Sequence, residues 1–228
     1  MPRQTQPRRR SYDQYCAVSR ALDAVGDRWS LLVVRELLAG PRRYTDLLAD
    51  LPGVSTDMLA TRLRDMERDG LATRRKLPAP SAASVYELTD RGRALLPVLT
   101  ALAAWGAPDL TSRRPTDAVR AHWLALPLIA PLAAALRGPA VIEVELPEGL
   151  FHLRPHTPQA HPPYGEGPAQ DPDARLHMSA ETCRALAEGT LTLSAAVDEG
   201  LVRITGESGT ARALAGSRQG GAVGRTRA

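Results

Sequence analysis

The chain has 228 residues, 43% of them apolar and 24% charged, which amounts to one or two domains with material for a core and excludes both a short peptide and a many-domain scaffold. The net charge of +4 is local: residues 1–110 hold 17 Lys+Arg against 13 Asp+Glu and residues 111–228 hold 12 against 12, so an anionic partner, nucleic acid or a membrane surface, is expected at the first half. No apolar run reaches the roughly eighteen residues of a membrane helix, no signal-peptide core follows MPRQTQPRRR, and Cys16 and Cys183 are too few for a disulfide framework, which points to a soluble cytoplasmic protein; of the two anionic candidates, nucleic acid is the expected partner and no membrane is.

Residues 1–10 and 216–228 are rich in Gly, Arg, Gln and Ser and are expected to be disordered tails. Between 14 and 107 helical periodicity dominates. Tyr15, Val18, Leu22 and Val25 recur at helical steps, Leu31, Val34 and Leu38 repeat the pattern, and Leu59, Leu63 and Met66 repeat it again. Gly40-Pro41 stops the second helix, a short third helix covers about 45–51, Pro52-Gly53 turns the chain, and Ser55 N-caps a fourth helix that Gly70 closes. Two strand-like runs, Leu71–Leu77 and Val85–Leu88, flank a projecting loop of Pro, Ala and Ser. Thr89-Asp90 then caps a long helix reaching Trp105-Gly106.

After the break at Arg113-Arg114-Pro115, Thr116–Leu136 is expected to be helical with an interruption at Pro127. Val141–Leu146 alternates apolar and acidic residues as a half-buried strand does, with Gly149–Arg154 as its hairpin partner. Residues 155–173, PHTPQAHPPYGEGPAQDPD, read as a mobile loop. Arg175–Met178 is expected to be a strand, Ser179–Glu188 a capped helix stopped by Gly189, and Leu201–Thr205 a last strand. The fold class is therefore α+β: a winged helix-turn-helix over 11–110, mostly α with a two-stranded wing, followed by a smaller α+β domain over 115–215.

Two helices joined by a tight turn and followed by a flap fit duplex DNA, with the fourth helix in the major groove and the flap on the neighbouring backbone. With Leu59, Leu63 and Met66 turned inward, Asp57, Thr61, Arg64 and Arg68 face outward, with Ser55 and Thr56 at the N-terminal end. Arg62 is taken as a DNA contact of the same helix. Arg42 and Arg43 precede the third helix, Arg74, Arg75 and Lys76 stand at the base of the flap, and Arg91 and Arg93 follow it, all suited to phosphates. Of the 29 cations only Lys76 is a lysine, a bias that genome composition or the fit of guanidinium to phosphate would each produce. Only three Trp, five Tyr and one Phe occur, and Trp29 and Trp105 sit at helical core spacing rather than on a stacking platform, so duplex DNA is expected over single strands.

The run Cys16, Leu22-Asp23, Gly26-Asp27-Arg28-Trp29, Leu31-Leu32, Arg35-Glu36-Leu37, Gly40-Pro41-Arg42-Arg43-Tyr44, Leu47, Leu51, Val54-Ser55, Leu59, Arg62-Leu63, Gly70-Leu71, Tyr86-Glu87-Leu88-Thr89, Gly92 and Trp105-Gly106 resembles HxlR-type transcriptional regulators. The resemblance implies a homodimeric winged-helix repressor on an inverted-repeat operator. Two departures stand out: Ala17 follows the cysteine where the family commonly has proline, and Tyr44 replaces the usual phenylalanine. One helix in one groove buries too little for high specificity, and a two-fold dimer remedies this. The family pairs through its terminal helices, here Tyr15–Val25 with Tyr15, Val18 and Leu22, and Ala94–Trp105 with Leu95, Leu99, Leu102 and Trp105; the alternative is that the second stripe packs on the second half.

Cys16 matches a position that senses oxidants in some family members, and a helix N-terminus with Arg20 one turn away could lower its pKa; the alternative is a small residue at a dimer interface. His152, His156, His161 and His177 show no metal-ligand spacing, and no metal or cofactor is expected. Met178-Ser179-Ala180-Glu181-Thr182, Leu186, Glu188-Gly189, Ala195-Ala196, Gly200-Leu201 and Ile204-Thr205-Gly206 resemble the C-terminal part of sterol-carrier-protein-like domains. That resemblance implies an apolar tunnel for a hydrophobic small-molecule effector, with Trp123, Leu126, Ile129, Leu132, Val144, Phe151 and Leu186 as candidate walls; a solid domain is the alternative. No nucleophile elbow, phosphate loop or His-Glu-x-x-His helix occurs, so binding rather than catalysis is expected.

Overall fold

A computed structural model of the chain describes residues 11–81, 83–111, 114–156 and 161–216. The expected tail 1–10, and that of 216–228 beyond Gly216, lie outside the described residues. The chain divides into two compact units, Met1–Leu37 with Arg42–Gly92 and Leu38–Pro41 with Arg93–Ala228.

Through the first unit run α1 (Ala17–Val25), α2 (Ser30–Leu38), β1 (Arg42–Arg43), α3 (Tyr44–Asp50), α4 (Thr56–Arg68), β2 (Ala72–Lys76), β3 (Ser84–Leu88) and the short α5 (Asp90–Arg93). Val33, Val34, Leu37, Leu47, Leu51, Leu59, Leu63 and Met66 are buried, and removing each such side chain from water stabilises the unit by about 1.5–3 kcal/mol. The punctuation works as read. Ser55 Oγ accepts the Met58 N–H at 3.2 Å, and Gly70 ends α4 with a φ of +68°, a conformation that glycine adopts without strain.

The wing is an antiparallel sheet of order β1-β3-β2. Sequence reading missed its third strand, because two arginines before a helix carry no alternation. The long helix after the wing is in fact two. Pro97 has no N–H to give the Arg93 carbonyl and its ring would crowd that oxygen, so α5 stops at Arg93 and α6 (Leu96–Gly106) starts anew with the proline in its first turn.

In the second unit α6 packs on α7 (Ala125–Ala135), which follows a 3-10 turn at Ala121–Leu124. The helix expected over Thr116–Leu136 therefore begins later, and Pro127 lies in its first turn without breaking it, whereas Pro131 is internal. A five-stranded sheet has the order β6-β5-β4-β7-β8, formed by β4 (Ile142–Leu146), β5 (Gly149–Leu153), β6 (Tyr164–Glu166), β7 (Ala174–Met178) and β8 (Val202–Thr205). All pairs are antiparallel except the central β4 and β7. Helices α8 (Ala180–Glu188), α9 (Leu193–Asp198) and α10 (Gly209–Ala215) complete the unit.

The mobile loop expected over 155–173 is corrected by β6. Tyr164 is fully buried, the Arg154 N–H donates to the Pro163 carbonyl at 2.8 Å, and Asp173 pairs with Val141 through both backbone and carboxylate at 2.8 Å. Its many prolines and glycines suit an edge strand and its turns as well as a loop, which hid the difference. Residues 157–160 lie outside the described residues.

Candidate nucleic-acid interface

The fourth helix has two sides set by its own periodicity. Leu59, Leu63 and Met66 bury one, leaving Asp57, Arg64 and Arg68 exposed and Thr61 half-buried on the other, with Ser55 and Thr56 exposed at the leading end. Its 13 residues make a rod of about 20 Å, long enough to follow a major groove. Arg64 donates to the Ala60 carbonyl and the Thr61 hydroxyl, both at 3.2 Å, so its guanidinium rests along its own helix. Two residues outside the sequence-based set belong here. Met58 is 43% exposed at the leading end, an apolar group of the kind that meets thymine methyls, and the Tyr44 hydroxyl donates to the Thr56 carbonyl at 2.7 Å.

Arg62, expected from the sequence as a DNA contact, has protein partners here: its guanidinium donates to Asp27 at 3.0 Å and pairs with Asp65 at 2.9 Å, with Nε buried. Burial of the Asp27 carboxyl would raise its pKa, but hydrogen bonds from the Ser30 hydroxyl and from the Trp29 and Ser30 amides, with the Arg62 charge, hold it below the usual value of 3.8.

On the wing the strand register aligns Arg42, Tyr86 and Arg74 in one row and Arg43, Val85 and Arg75 in the next. Arg74 stacks 6.0 Å from the Tyr86 ring centroid, Arg75 forks onto Glu87 at 3.1 Å, and Arg42 stands 3.9 Å from Asp50. Arg43 on one edge strand of the wing and Arg74 and Lys76 on the other are exposed cations, and Arg91 is exposed after the wing. Burial pushes the Tyr86 phenol above its usual pKa, against the opposing Arg74 charge beside the ring.

The candidate pocket residues all fall in the second unit. Leu126, Leu132, Val144, Phe151 and Leu186 are buried, Trp123 and Ile129 half-buried, with α7 packed on β5 and α8. Val144 and Phe151 are cross-strand partners on the apolar face of the sheet. The opposite face is polar: Glu143 accepts from Arg175 at 2.6 Å and from the Ala169 amide at 2.9 Å, and His177 bridges Glu145 and Thr205. His152 bonds the Gly167 carbonyl at 3.1 Å and His156 the Ala133 carbonyl at 3.0 Å. These contacts give His152, His156 and His177 structural partners, and among the described residues no cluster of His, Cys, Asp or Glu could hold a metal ion.

Comparison with known proteins decides the family. Residues 24–113 match the family described as HxlR-like helix-turn-helix, and residues 122–217 match the SCP-2 sterol transfer family. An uncharacterized HTH-type transcriptional regulator of Synechocystis sp. is 41% identical over 92 residues, 40% of this chain and 68% of that protein. The uncharacterized HTH-type transcriptional regulator YvaP of Bacillus subtilis is 36% identical over 86 residues, 38% of this chain and 80% of that one. The chain belongs to the HxlR-like helix-turn-helix family. The solved structure of the reduced form of the transcriptional regulator YodB from B. subtilis is similar at 30% identity, covering 46% of this chain and 100% of that chain with a TM-score of 0.38. By its family and its relatives this HxlR-like protein is a transcriptional regulator of the HTH type, and its second half matches the SCP-2 sterol transfer family. Among the described residues no helix is long and apolar enough to cross a membrane.

The faces by which an HxlR-like chain is expected to pair are partly open in this one. Tyr15, Val18 and Leu22 are exposed. On the second stripe, Leu102 and Trp105 are exposed beside Val98, and Leu95 is half-buried. Leu99, expected on that stripe, is instead only 5% exposed, because one face of α6 lies on α7. Trp105, expected at core spacing, is 79% exposed. Cys16 is an exposed free thiol at the start of α1 whose pKa is lowered by the amides of Ser19 and Val18. Arg20, expected to do this, stands 3.9 Å from Asp23. Burial pushes the Cys183 thiol up to about 12.

Proposed function

We propose that this regulator represses transcription in the cytoplasm as a homodimer on an inverted-repeat operator, each copy laying α4 in a major groove and its wing on the flanking phosphates. The observation that carries this reading is the exposed outer face of α4, with Thr61 and Arg64 opposite the buried Leu59 and Leu63 and the cations Arg43, Arg74 and Lys76 alongside. Phosphate contacts by those cations give affinity, and the α4 side chains supply discrimination between bases. A gel shift with the gene's own upstream DNA, comparing the parent with Thr61→Ala/Arg64→Ala, tests it. The parent is expected to shift that fragment at nanomolar protein and the double variant to lose its preference over random duplex by about tenfold or more. Equal binding to random DNA by both proteins would sink the reading.

The SCP-2 domain supports an apolar small molecule as effector, bound by its aliphatic side chains rather than turned over, and a ligand that favours one dimer geometry would shift operator affinity. A titration with fatty acids and sterols that moves neither melting temperature nor operator affinity counts against this half. One observation favours a second reading: Cys16 is exposed and its thiol is stabilised as thiolate by backbone amides, as an oxidant-sensing cysteine requires. In that reading the second domain is structural, and Cys16→Ser abolishes the loss of DNA binding on diamide treatment; an unchanged diamide response rejects it.

A further inference from the structure

We propose that Arg62 does not contact DNA but is the positioning residue of the reading helix, locking α4 to the turn before α2 through Asp27. This inference rests on the DNA-binding reading above and assigns within it a role to two residues that periodicity cannot link, since they lie 35 positions apart.

The geometry is a relay. Asp27 is committed on both oxygens: one accepts the Trp29 amide at 2.8 Å and the Ser30 amide at 3.1 Å, the other the Ser30 hydroxyl and Arg62 at 3.0 Å. The carboxylate thus fixes the entry of α2 and holds the guanidinium at the same time. The other Arg62 nitrogen reaches Asp65, one turn along α4, and Asp65 in turn holds Arg68 at 2.7 Å. Asp65, on α4 itself, fixes the orientation of the Arg62 fork, and the bond from that fork to Asp27 resists rotation of α4 about its axis and sliding along it, which an apolar stripe of Leu59, Leu63 and Met66 alone does weakly. The Tyr44 hydroxyl on the Thr56 carbonyl pins the leading end, so the helix is held at two points. Base readout tolerates displacements of only a fraction of an ångström, so orientation is transmitted to specificity.

The test uses the full chain and a duplex selected by the parent from a randomised pool, with a scrambled duplex as reference. Arg62→Gln and Asp27→Asn are each expected to weaken the selected duplex about tenfold and to leave the scrambled one within about twofold. The double variant is expected to lose no more than either single one, as for two partners of one interaction. The slope of log K against log salt stays at the parent value in both, whereas Arg43→Gln, at an exposed wing cation read as a phosphate contact, lowers it by about 0.9. Arg62→Lys keeps the charge but not the fork, and is expected to remain as weak as Arg62→Gln; it also stands in if Asp27→Asn does not fold.

Parental affinity in Arg62→Lys, or a slope reduced by about 0.9 in Arg62→Gln with Asp27→Asn unaffected, would show a phosphate contact and overturn the proposal. Lower melting temperatures with an unchanged preference for the selected duplex would overturn it equally, as a merely structural pair. A pool that yields no enriched duplex overturns the DNA-binding reading itself.

Discussion

His152 occupies a position where its neighbour must have no side chain: a Cβ on Gly165, its cross-strand partner, would lie 2.5 Å from the imidazole Cε1. Burial in that slot lowers the imidazole pKa from 6.5, outweighing the bond to the Gly167 carbonyl. Between the lowered value and 6.5 the unfolded chain binds the proton and the folded one does not, so stability is complete above 6.5 and declines as pH falls toward the folded pKa. The melting temperature of His152→Gln is therefore expected to fall less than the parent's from pH about 7.5 to about 5.5, by on the order of 2 °C, as followed by circular dichroism. Equal slopes would show that the site is not desolvated. At this scale the sequence revealed residue types but not their partners. Periodicity placed Asp57, Arg64 and Arg68 outward, as the structure has them, because exposure follows from the helical repeat. It missed the Arg62–Asp27 bridge and the Tyr44 hydroxyl, because contacts across the fold leave no local signal.

Among the elements, α6 shows two faces with different duties. Leu99 is consumed by packing on α7, while Val98, Leu102 and Trp105 remain exposed in a stripe that water does not favour. If this stripe and that of α1 pair two copies, Leu102→Asp/Trp105→Ala converts the dimer to a monomer at about micromolar protein by sedimentation, with helix content unchanged. A variant that sediments as the parent does would exclude α6 from the interface. Elements with strong caps or alternation were legible: α4 behind Ser55, α8 between Ser179 and Gly189, β4 with its alternating glutamates. Short or proline-marked ones were not. α9 and α10 have six and seven residues built largely of alanine and other small side chains, β6 is embedded in prolines and glycines, and Pro97 was overlooked as a break.

For the molecule as a whole, the uneven charge and the dense motif of the first half were enough to indicate a duplex-DNA reader, since such a reader needs local features: a turn, an amphipathic helix and cations. An enclosed ligand site depends on how α7, α8 and the sheet come together, which composition does not encode, and the candidate walls could be named only as apolar side chains. Lys76, the chain's single lysine, is exposed at the end of β2 beside the wing arginines. Acylation of side-chain amines, whether by an acetyltransferase or a laboratory ester, therefore has one ε-amino target in these 228 residues, and it would erase a cation from the wing without touching the guanidinium groups. The same uniqueness makes it a ready attachment point for a fluorophore that reports the wing's approach to a phosphate backbone.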